Sequence, residues 1–181
     1  MVYAKEINGK YLKLRSVEIE DSGFILSLRI SSELNAYLNK VDNDIEKQRK
    51  WILEQHQREG DYYFLMMDHA DKPLGTISLY MIIDGQGYFG RWVSIGNSVQ
   101  NVESVILIHD FGFYEIGLNR IYSRTVSDNR RVNKFHNRFG AKDVKIINDT
   151  DSGFVLQEKE IFRESYPGIR ARNLELIGKL K

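Results

Sequence analysis

Residues 128–141, which read DNRRVNKFHNRFGA, combine helix-capping residues with a side chain that can transfer a proton. Asp128 and Asn129 favour the start of a helix, and Gly140 favours its end. Asn129 and His136 are seven residues apart, so they share one face of the predicted helix. An imidazole is the side chain that most readily exchanges a proton near neutral pH. The alternative interpretation makes His136 an ordinary surface residue.

A second candidate lies where a predicted strand leads into a long helix, in the stretch WVSIGNSVQNVESVILIHDF at 92–111. The start of a helix directs free backbone N–H groups and the positive end of its dipole at one point, which suits a phosphate. We therefore expect the backbone of Ser98, Gln100 and Asn101 to bind phosphate. The alternative is a plain polar connection in which Ser98 or Asn101 only caps the helix.

Several kinds of chemistry are excluded by what the chain lacks. There is no Cys, which excludes disulfides, thiolate nucleophiles and Cys-ligated zinc. The sequence also has no G-x-S-x-G, Walker or H-E-x-x-H motif. The four histidines have no metal-ligand spacing, so we expect no metal. Apart from His136, they are interpreted as structural or surface residues: His56, His69 and His109.

Bulk composition indicates an ordinary globular protein. The chain has 181 residues and a net charge of +1, so nothing favours a nucleic acid or an anionic membrane as its partner. No window of about 18 apolar residues is present, and residues 1–10 have no apolar signal-peptide core. We expect a cytoplasmic protein with a single domain over 1–181 and a C-terminal helical tail from about 163.

Hydrophobic periodicity and turn residues predict the order β-α-α-β-β-β-α-β-α-β-β-α. This order is typical of a mixed α/β fold with a long antiparallel meander followed by a helical crossover. The last helix is expected to be interrupted at SYPG. The predicted strands are 9–17, 62–67, 74–82, 88–97, 118–126, 142–148 and 153–162, and the predicted helices begin near 21, 44, 102, 129 and 163.

With these elements in place, the chain resembles the GNAT superfamily of N-acetyltransferases over roughly 10–160. The last core helix of that family commonly reads Asn-x-x-small-x-x-x-Tyr-x-x-x-Gly-Phe. The matching residues here are Asn129, Val132, His136, Gly140 and Ala141. Upstream, DKPLGTISLY is similar to a hairpin strand of the family, GRWVSI to its cofactor-binding strand, and IHDFGFYEIGLNRIYSRTV to the segment before its last core helix.

The resemblance implies a mainly antiparallel twisted sheet, flanked by helices and split between the fourth strand, 88–97, and the fifth, 118–126. The cosubstrate would be acetyl-CoA, whose pantetheine arm pairs like an extra strand beside a bulge in RWVSIG. A backbone N–H of Val93 or Ser94 would polarise the thioester carbonyl. The cofactor-binding residues implied are Trp92, Val93, Ser94, Asn97, Ser98, Val99, Gln100, Asn101, Asn129, Val132 and Phe135.

The resemblance also assigns catalytic positions, and two of them depart from the family. His136 stands where many members have the Tyr that protonates the leaving thiolate. Tyr88 stands where the family often has a Glu that serves as the base. Asp84 and Glu158 are alternative base candidates, and a water chain to solvent is a further alternative. The glycine-rich pyrophosphate loop of the family is also missing after Gly96.

The acceptor is expected to be a small-molecule amine. Its wall would come from the first helical region and the strand link, where Arg29, Tyr37, Asn39 and Tyr80 are polar or aromatic. Aromatic rings stack on sugars and bases, and Arg binds phosphate groups. The pattern therefore favours an amino sugar carried on a nucleotide.

Other functions remain open alongside the amino sugar. Acetylation of a ribosomal protein N-terminus is one alternative. Acetylation of a polyamine is another, and it would need acids such as Glu33, Asp42 and Asp44. A CoA-binding module with weak catalysis is a third. A nucleotide-binding fold of another α/β type is disfavoured by the antiparallel order of the strands. A homodimer is plausible.

Overall fold

The computed structural model describes residues 1–31, 34, 36–38 and 40–179. These residues form a sheet of eight strands in the order β1-β2-β3-β4-β5-β6-β8-β7, with helices on both faces. The strands are β1 Ile7–Asn8, β2 Lys13–Ser16, β3 Tyr62–Met67, β4 Pro73–Ile83, β5 Gln86–Ser94, β6 Arg120–Val126, β7 Lys142–Asn148 and β8 Val155–Phe162. The helices are α1 Ser22–Ile30, α2 Ile45–Gln57, α3 Ser98–Asp110, α4 Arg130–Phe139 and α5 Tyr166–Lys179.

The alternation of side chains along the strands gives the sheet two different faces. On one face Leu79, Phe89 and Ile121 pack in the main core with apolar residues of α3, α4 and α5. On the other face α1 and α2 pack on Tyr63 and Leu65 of β3, and α1 also lies against β4 and β5. No residue of β6 to β8 belongs to this second cluster, so the same side of these three strands is called the uncovered face below.

The sheet is split between β5 and β6. Every other neighbouring pair of strands is antiparallel, whereas β5 and β6 are parallel and pair only from Gln86–Tyr88 to Arg120–Tyr122. Both strands continue past this point, to Ser94 and Val126, without pairing with each other. The predicted split between these two strands is confirmed.

A bulge bends β5 next to the split. Thr76 of β4 pairs with Val93 and Ser78 pairs with Gly90, so β5 has one more residue than β4 in this stretch. Arg91, inside the bulge, has a φ of 48°, in the left-handed region that few non-glycine residues adopt. The bulge predicted in RWVSIG is thus confirmed, at its first residues.

The predicted order of elements is confirmed, with the short β1 added before it. Some bounds differ: the first long strand starts at Lys13, the strand expected over 88–97 ends at Ser94, and α3 starts at Ser98. The predicted interruption at SYPG is wrong, because Tyr166 begins α5 and a proline fits the first turn of a helix. None of the described helices is long and apolar enough to cross a membrane.

Candidate active site

The split opens into a cleft of about 420 Å³ that reaches both faces of the sheet. A volume of this size is typical of a small-molecule site. The cleft brings together eight of the predicted site residues: Arg29, Tyr37, Tyr80, Tyr88, Trp92, Asn129, Val132 and His136. It does not include Val93, Ser94, Asn97, Ser98, Val99, Gln100, Asn101 or Phe135, which lie in the adjoining strand, loop and helix.

Helix α4 forms one wall of the cleft, with the caps expected from its sequence. The Oδ1 atom of Asn129 accepts a hydrogen bond from the backbone N–H of Val132 at 3.2 Å. Gly140 ends the helix with a φ of 126°, a conformation that favours glycine. Asn129 and His136 both line the cleft, seven residues apart along α4 and its cap.

His136 lies at the inner end of this wall, in an aromatic environment. Its side chain is buried against the rings of Phe89, Trp92 and Phe135, with ring centroids 5.6–6.2 Å away. Burial, together with the nearby His109 and Lys159, lowers the pKa of His136 to about 3. The ring is therefore neutral at pH 7, so a protonated imidazolium is not the form that faces the cleft.

Tyr88 lies at the closed end of the split. Its ring packs between those of Tyr80 and Tyr122, at centroid distances of 4.8 and 5.2 Å, and its hydroxyl donates to the carbonyl of Arg124. Burial raises the pKa of Tyr88 and also that of Tyr80. Both hydroxyls are therefore neutral, which argues against Tyr88 as a base.

The start of α3 is capped by its own side chains. Oδ1 of Asn97 accepts the backbone N–H of Gln100, and Oε1 of Gln100 accepts that of Asn97, each at 3.0 Å. The N–H of Asn101 donates to the Asn97 carbonyl. Of the groups expected to bind phosphate, those of Gln100 and Asn101 are thus engaged within the helix. Within the described residues, the N–H groups of Ser98 and Val99 have no such hydrogen bond.

The last residues of β5, before the start of α3, contribute backbone N–H groups and an aromatic ring next to the split. The N–H of Ile95 donates to the carbonyl of Leu74 in β4. Because successive N–H groups of a strand point to opposite sides, that of Ser94 is directed towards the split and that of Val93 towards β4. Next to them, the Trp92 ring packs on Phe135 at 4.8 Å. The buried Nε1 of Trp92 has no hydrogen-bond partner among the described residues.

The uncovered face of the sheet carries the other wall of the cleft. It includes the side chains of Arg29, Arg91 and Arg124 together with the tyrosines already described. Asp149 and Phe154, in the β7–β8 hairpin, complete this wall. The predicted wall residue Asn39 lies outside the described residues.

Comparison with known proteins identifies the family. A family model described as an acetyltransferase (GNAT) domain matches residues 11–142. The chain belongs to the GNAT acetyltransferases. No curated protein sequence matches it.

Solved structures agree with this assignment to the GNAT acetyltransferases. The chain is similar to apo FdhC, a nucleotide-linked sugar GNAT, with 26% identity and a TM-score of 0.79 over 94% of this chain and 97% of the other. It shares the fold of a GCN5-related N-acetyltransferase from Brucella melitensis, with 14% identity and a TM-score of 0.82 over 97% and 86% of the two chains. It also shares the fold of a variant of the spermidine N-acetyltransferase SpeG from Vibrio cholerae, with 15% identity and a TM-score of 0.74 over 88% and 98%.

The carboxylates suggested as bases in this GNAT chain are placed away from the cleft or are already paired. Asp84 is exposed in the β4–β5 turn, at the closed end of the split. Glu158 is buried and bonded to Arg124 at 2.9 Å and to Arg120 at 3.3 Å. Among the described lining residues, Asp149 is the one carboxylate in the cleft.

The acids considered for a polyamine site in this GNAT chain also have other partners. Asp44 caps α2 by accepting the N–H groups of Glu46 and Lys47, and exposed Asp42 pairs with the Lys47 side chain. Neither lines the cleft. Glu33 lies outside the described residues.

Sequence reasoning missed the other lining residues of the cleft in this GNAT chain, among them Arg91, Arg124, Asp149 and Phe154. Arg124 had a detectable signal, since it is a charged residue two positions from Tyr122 and therefore on the same face of its strand. Asp149 and Phe154 had none, because they follow the motifs of the family: Asp149 was interpreted only as part of a turn, and Phe154 only as part of the late strand 153–162.

Proposed function

We propose that the chain transfers an acetyl group from acetyl-CoA to a primary amine of a nucleotide-linked amino sugar. The observation that carries the proposal is the cleft at the split, which opens to both faces of the sheet. The cofactor would approach from the face of α3 and α4, and the acceptor from the uncovered face. The two reactants would then meet between β5 and β6.

The α3 and α4 side supplies contacts that suit acetyl-CoA. The N–H groups of Ser98 and Val99 at the start of α3 favour the diphosphate. The free edge of β5 beyond Tyr88 suits the amides of the pantetheine arm, which can pair with it like a strand. The N–H of Ser94 is directed to the same space and would donate to the thioester carbonyl.

The reaction is an aminolysis of the thioester. The amine nitrogen forms a bond to the acetyl carbon, the carbon–sulfur bond breaks, and the thiolate leaves with the bonding electron pair. The ammonium form of the acceptor must lose one proton before attack, and the nitrogen loses a second as the amide forms. Neutral His136 would stabilise the thiolate by donating an N–H hydrogen bond, which is a weaker role than the transfer of a full proton.

The acceptor wall favours a molecule that carries negative charge. Arg29, Arg91 and Arg124 line it. Among the described contacts of Arg124, only Nε bonds to a carboxylate, so its other two nitrogens can meet a phosphate. The tyrosines and Phe154 offer rings for a base or a sugar. The similarity to FdhC, described as a nucleotide-linked sugar GNAT, supports the same class of acceptor.

Asp149 is suited to the amino group of that acceptor. It is a half-buried carboxylate on the β7–β8 hairpin, and the described lining of the cleft holds no second one. An ammonium group held there would be attracted by its charge and could pass a proton to it or to adjacent water. A polyamine would need several carboxylates, and Asp149 is the one among the described lining residues, so the wall disfavours it, although SpeG has the same fold.

The proposal is tested by following thiol release from acetyl-CoA over a panel of acceptors. The panel contains nucleoside diphosphate amino sugars, the same amino sugars without the nucleotide, spermidine, and a peptide with the N-terminus of a ribosomal protein. We expect turnover with the nucleotide-linked sugars and a lower kcat/KM, by at least 100-fold, with the free sugar and with spermidine. A preference for spermidine or the peptide would overturn the choice of acceptor. Binding of acetyl-CoA without turnover of any amine would favour a CoA-binding module.

A further inference from the structure

Arg91 is held in an unfavourable backbone conformation beside the reaction space. Its φ of 48° lies in the left-handed region, where the Cβ atom of a residue other than glycine is crowded. Such a conformation persists only where surrounding contacts determine it. Arg91 is also the residue at which β5 gains its extra position, between the pairs Thr76–Val93 and Ser78–Gly90.

A buried ion pair holds the Arg91 side chain. Its two terminal nitrogens donate to the two carboxylate oxygens of Asp61, at 2.6 and 2.9 Å, in a bidentate arrangement. Asp61 is only 5% exposed. The buried Gln55 of α2 donates to its carbonyl at 2.7 Å and to Oδ1 at 3.1 Å. The pair is thus anchored to α2 and to the start of β3.

Aromatic rings fix the plane of the same guanidinium group. Its central carbon lies 3.9 Å from the ring centroid of Tyr80, 5.0 Å from Trp51 and 5.7 Å from Tyr63. The Arg91 carbonyl accepts the hydroxyl of Thr76 at 2.9 Å. Both ends of the residue are therefore restrained, the side chain by Asp61 and the rings, and the backbone by β4.

We propose that Asp61 is a positioning residue, which holds Arg91 so that the bulge directs the following backbone N–H groups of β5 at the thioester carbonyl. The inference rests on the proposed function, because the bulge can orient donors at a thioester only if an acyl-CoA binds in the split. Residues 92–94 follow the bulge directly, so a change in its geometry alters where their N–H groups point. Oxyanion donors need placement within a few tenths of an ångström.

A second pair of the same type provides a matched control. Arg15 donates two hydrogen bonds of 2.8 Å to Asp21, also in a bidentate arrangement. The side chains of Asp21 and Asp61 have similar exposure, at 10% and 7%. Neither Arg15 nor Asp21 lines the cleft, whereas Arg91 does. Loss of either pair should lower stability, but only loss of the Asp61 pair should disturb the bulge.

The test compares Asp61→Asn with Asp21→Asn in the full chain. We expect kcat to fall at least tenfold in Asp61→Asn, with KM for acetyl-CoA within about threefold of wild type. The reason is that the cofactor would still bind, whereas the backbone N–H groups of β5 would donate poorly to its thioester carbonyl. In Asp21→Asn, kcat should stay within twofold of wild type, even if the melting temperature falls as much as in Asp61→Asn. Equal kcat in the two variants, or parallel loss of kcat and affinity in Asp61→Asn, would overturn the inference.

Amide hydrogen exchange of the segment 88–95 decides the same question without an acceptor. Exchange should be at least tenfold faster in Asp61→Asn than in Asp21→Asn. Equal exchange rates in the two variants would contradict the inference that the Asp61–Arg91 pair holds the bulge. If wild type turns over no amine and binds no acetyl-CoA, the proposed function fails, while the exchange result still decides whether the pair holds the bulge. If Asp61→Asn does not fold, Arg91→Lys carries the test, since a lysine keeps the charge and loses the bidentate contact.

Discussion

His136 shows how burial changes the chemistry that a residue type suggests. From the sequence it is a proton donor with an ordinary pKa near 6.5. In the structure it is buried among aromatic rings and neutral at pH 7. A neutral ring can still donate an N–H hydrogen bond, so the role proposed for His136 at the leaving thiolate does not depend on its ionisation.

Substitution of His136 tests that role. In His136→Phe we expect kcat to fall about 10- to 100-fold, since a hydrogen bond to a charged group contributes about 1.5–3 kcal/mol. The dissociation constant of CoA, measured by calorimetry, should change less than threefold. The exposed turn residue His69 gives the control, and His69→Phe should leave both quantities unchanged. Equal losses of kcat and of CoA affinity in His136→Phe would remove the donor role.

The lowered pKa values of two histidines predict acid sensitivity. Burial lowers the pKa of His109 to about 4 and that of His136 to about 3, whereas both titrate near 6.5 in the unfolded chain. Between about pH 6.5 and 4 the unfolded state therefore binds more protons, so this stabilisation is complete above pH 6.5 and is lost as the pH falls. Urea unfolding of His136→Phe from pH 6 to 4.5 should depend less steeply on pH than wild type, by about 1.4 kcal/mol per pH unit. Identical slopes would contradict the neutral, buried state of His136.

Asp149 is tested through the acceptor rather than the cofactor. Asp149→Asn removes the charge that would attract an ammonium group, so we expect KM for the amine to rise about tenfold or more, while KM for acetyl-CoA stays unchanged. Asp151 lies two residues away on the same hairpin and is exposed, so Asp151→Asn is the matched control. Steady-state kinetics with both variants at saturating acetyl-CoA decide the point. An unchanged KM for the amine in Asp149→Asn would exclude it from the acceptor site.

At the level of elements, α4 was predictable because its start, its stop and its inward face are local properties of the sequence. Asn129 caps it and Gly140 ends it, as the sequence indicates. The start of α3 was placed too late because Asn97 and Gln100 cap each other around Ser98, which moves the helix start forward. The contact of Arg91, inside the bulge, with Asp61 thirty residues away is likewise one that no local pattern reveals.

A further element-scale contact joins α3 to the β1–β2 turn. The buried carboxylate of Glu103 accepts the backbone N–H groups of Lys10, Tyr11 and Leu12 at 2.7–3.0 Å. Through this contact Glu103 ties the edge of the sheet to α3.

Substitution of Glu103 tests how much this contact stabilises the fold. Glu103→Gln places an amide N–H against backbone donors, so we expect the free energy of unfolding to fall by about 2 kcal/mol or more. Urea denaturation measures the change, with the exposed Glu115→Gln as control, for which about 0.5 kcal/mol or less is expected. A change in Glu103→Gln as small as in the control would show that the contact does not hold the turn.

At the scale of the whole molecule, the wall of the cleft proposed for the acceptor was predictable only in part: Arg29 and Tyr80 were expected in it, and Asp149 was not. It joins Arg29 of α1, Tyr80 of β4 and Asp149 of the β7–β8 hairpin, which come together only once the sheet is assembled. The split itself was predictable because the order of elements resembles that of a known family. A homodimer stays a prediction, which light scattering after gel filtration would check.

The most direct test of the whole account is a crystal structure of the protein with CoA. We predict that the pantetheine arm lies between β5 and β6 beyond Tyr88, with its amides bonded to the edge of β5. The diphosphate should accept hydrogen bonds from the backbone N–H groups of Ser98 and Val99, and the sulfur of CoA should lie near His136. Cofactor bound elsewhere on the surface, or a split that remains closed and empty at saturating CoA, would contradict the proposed transfer reaction.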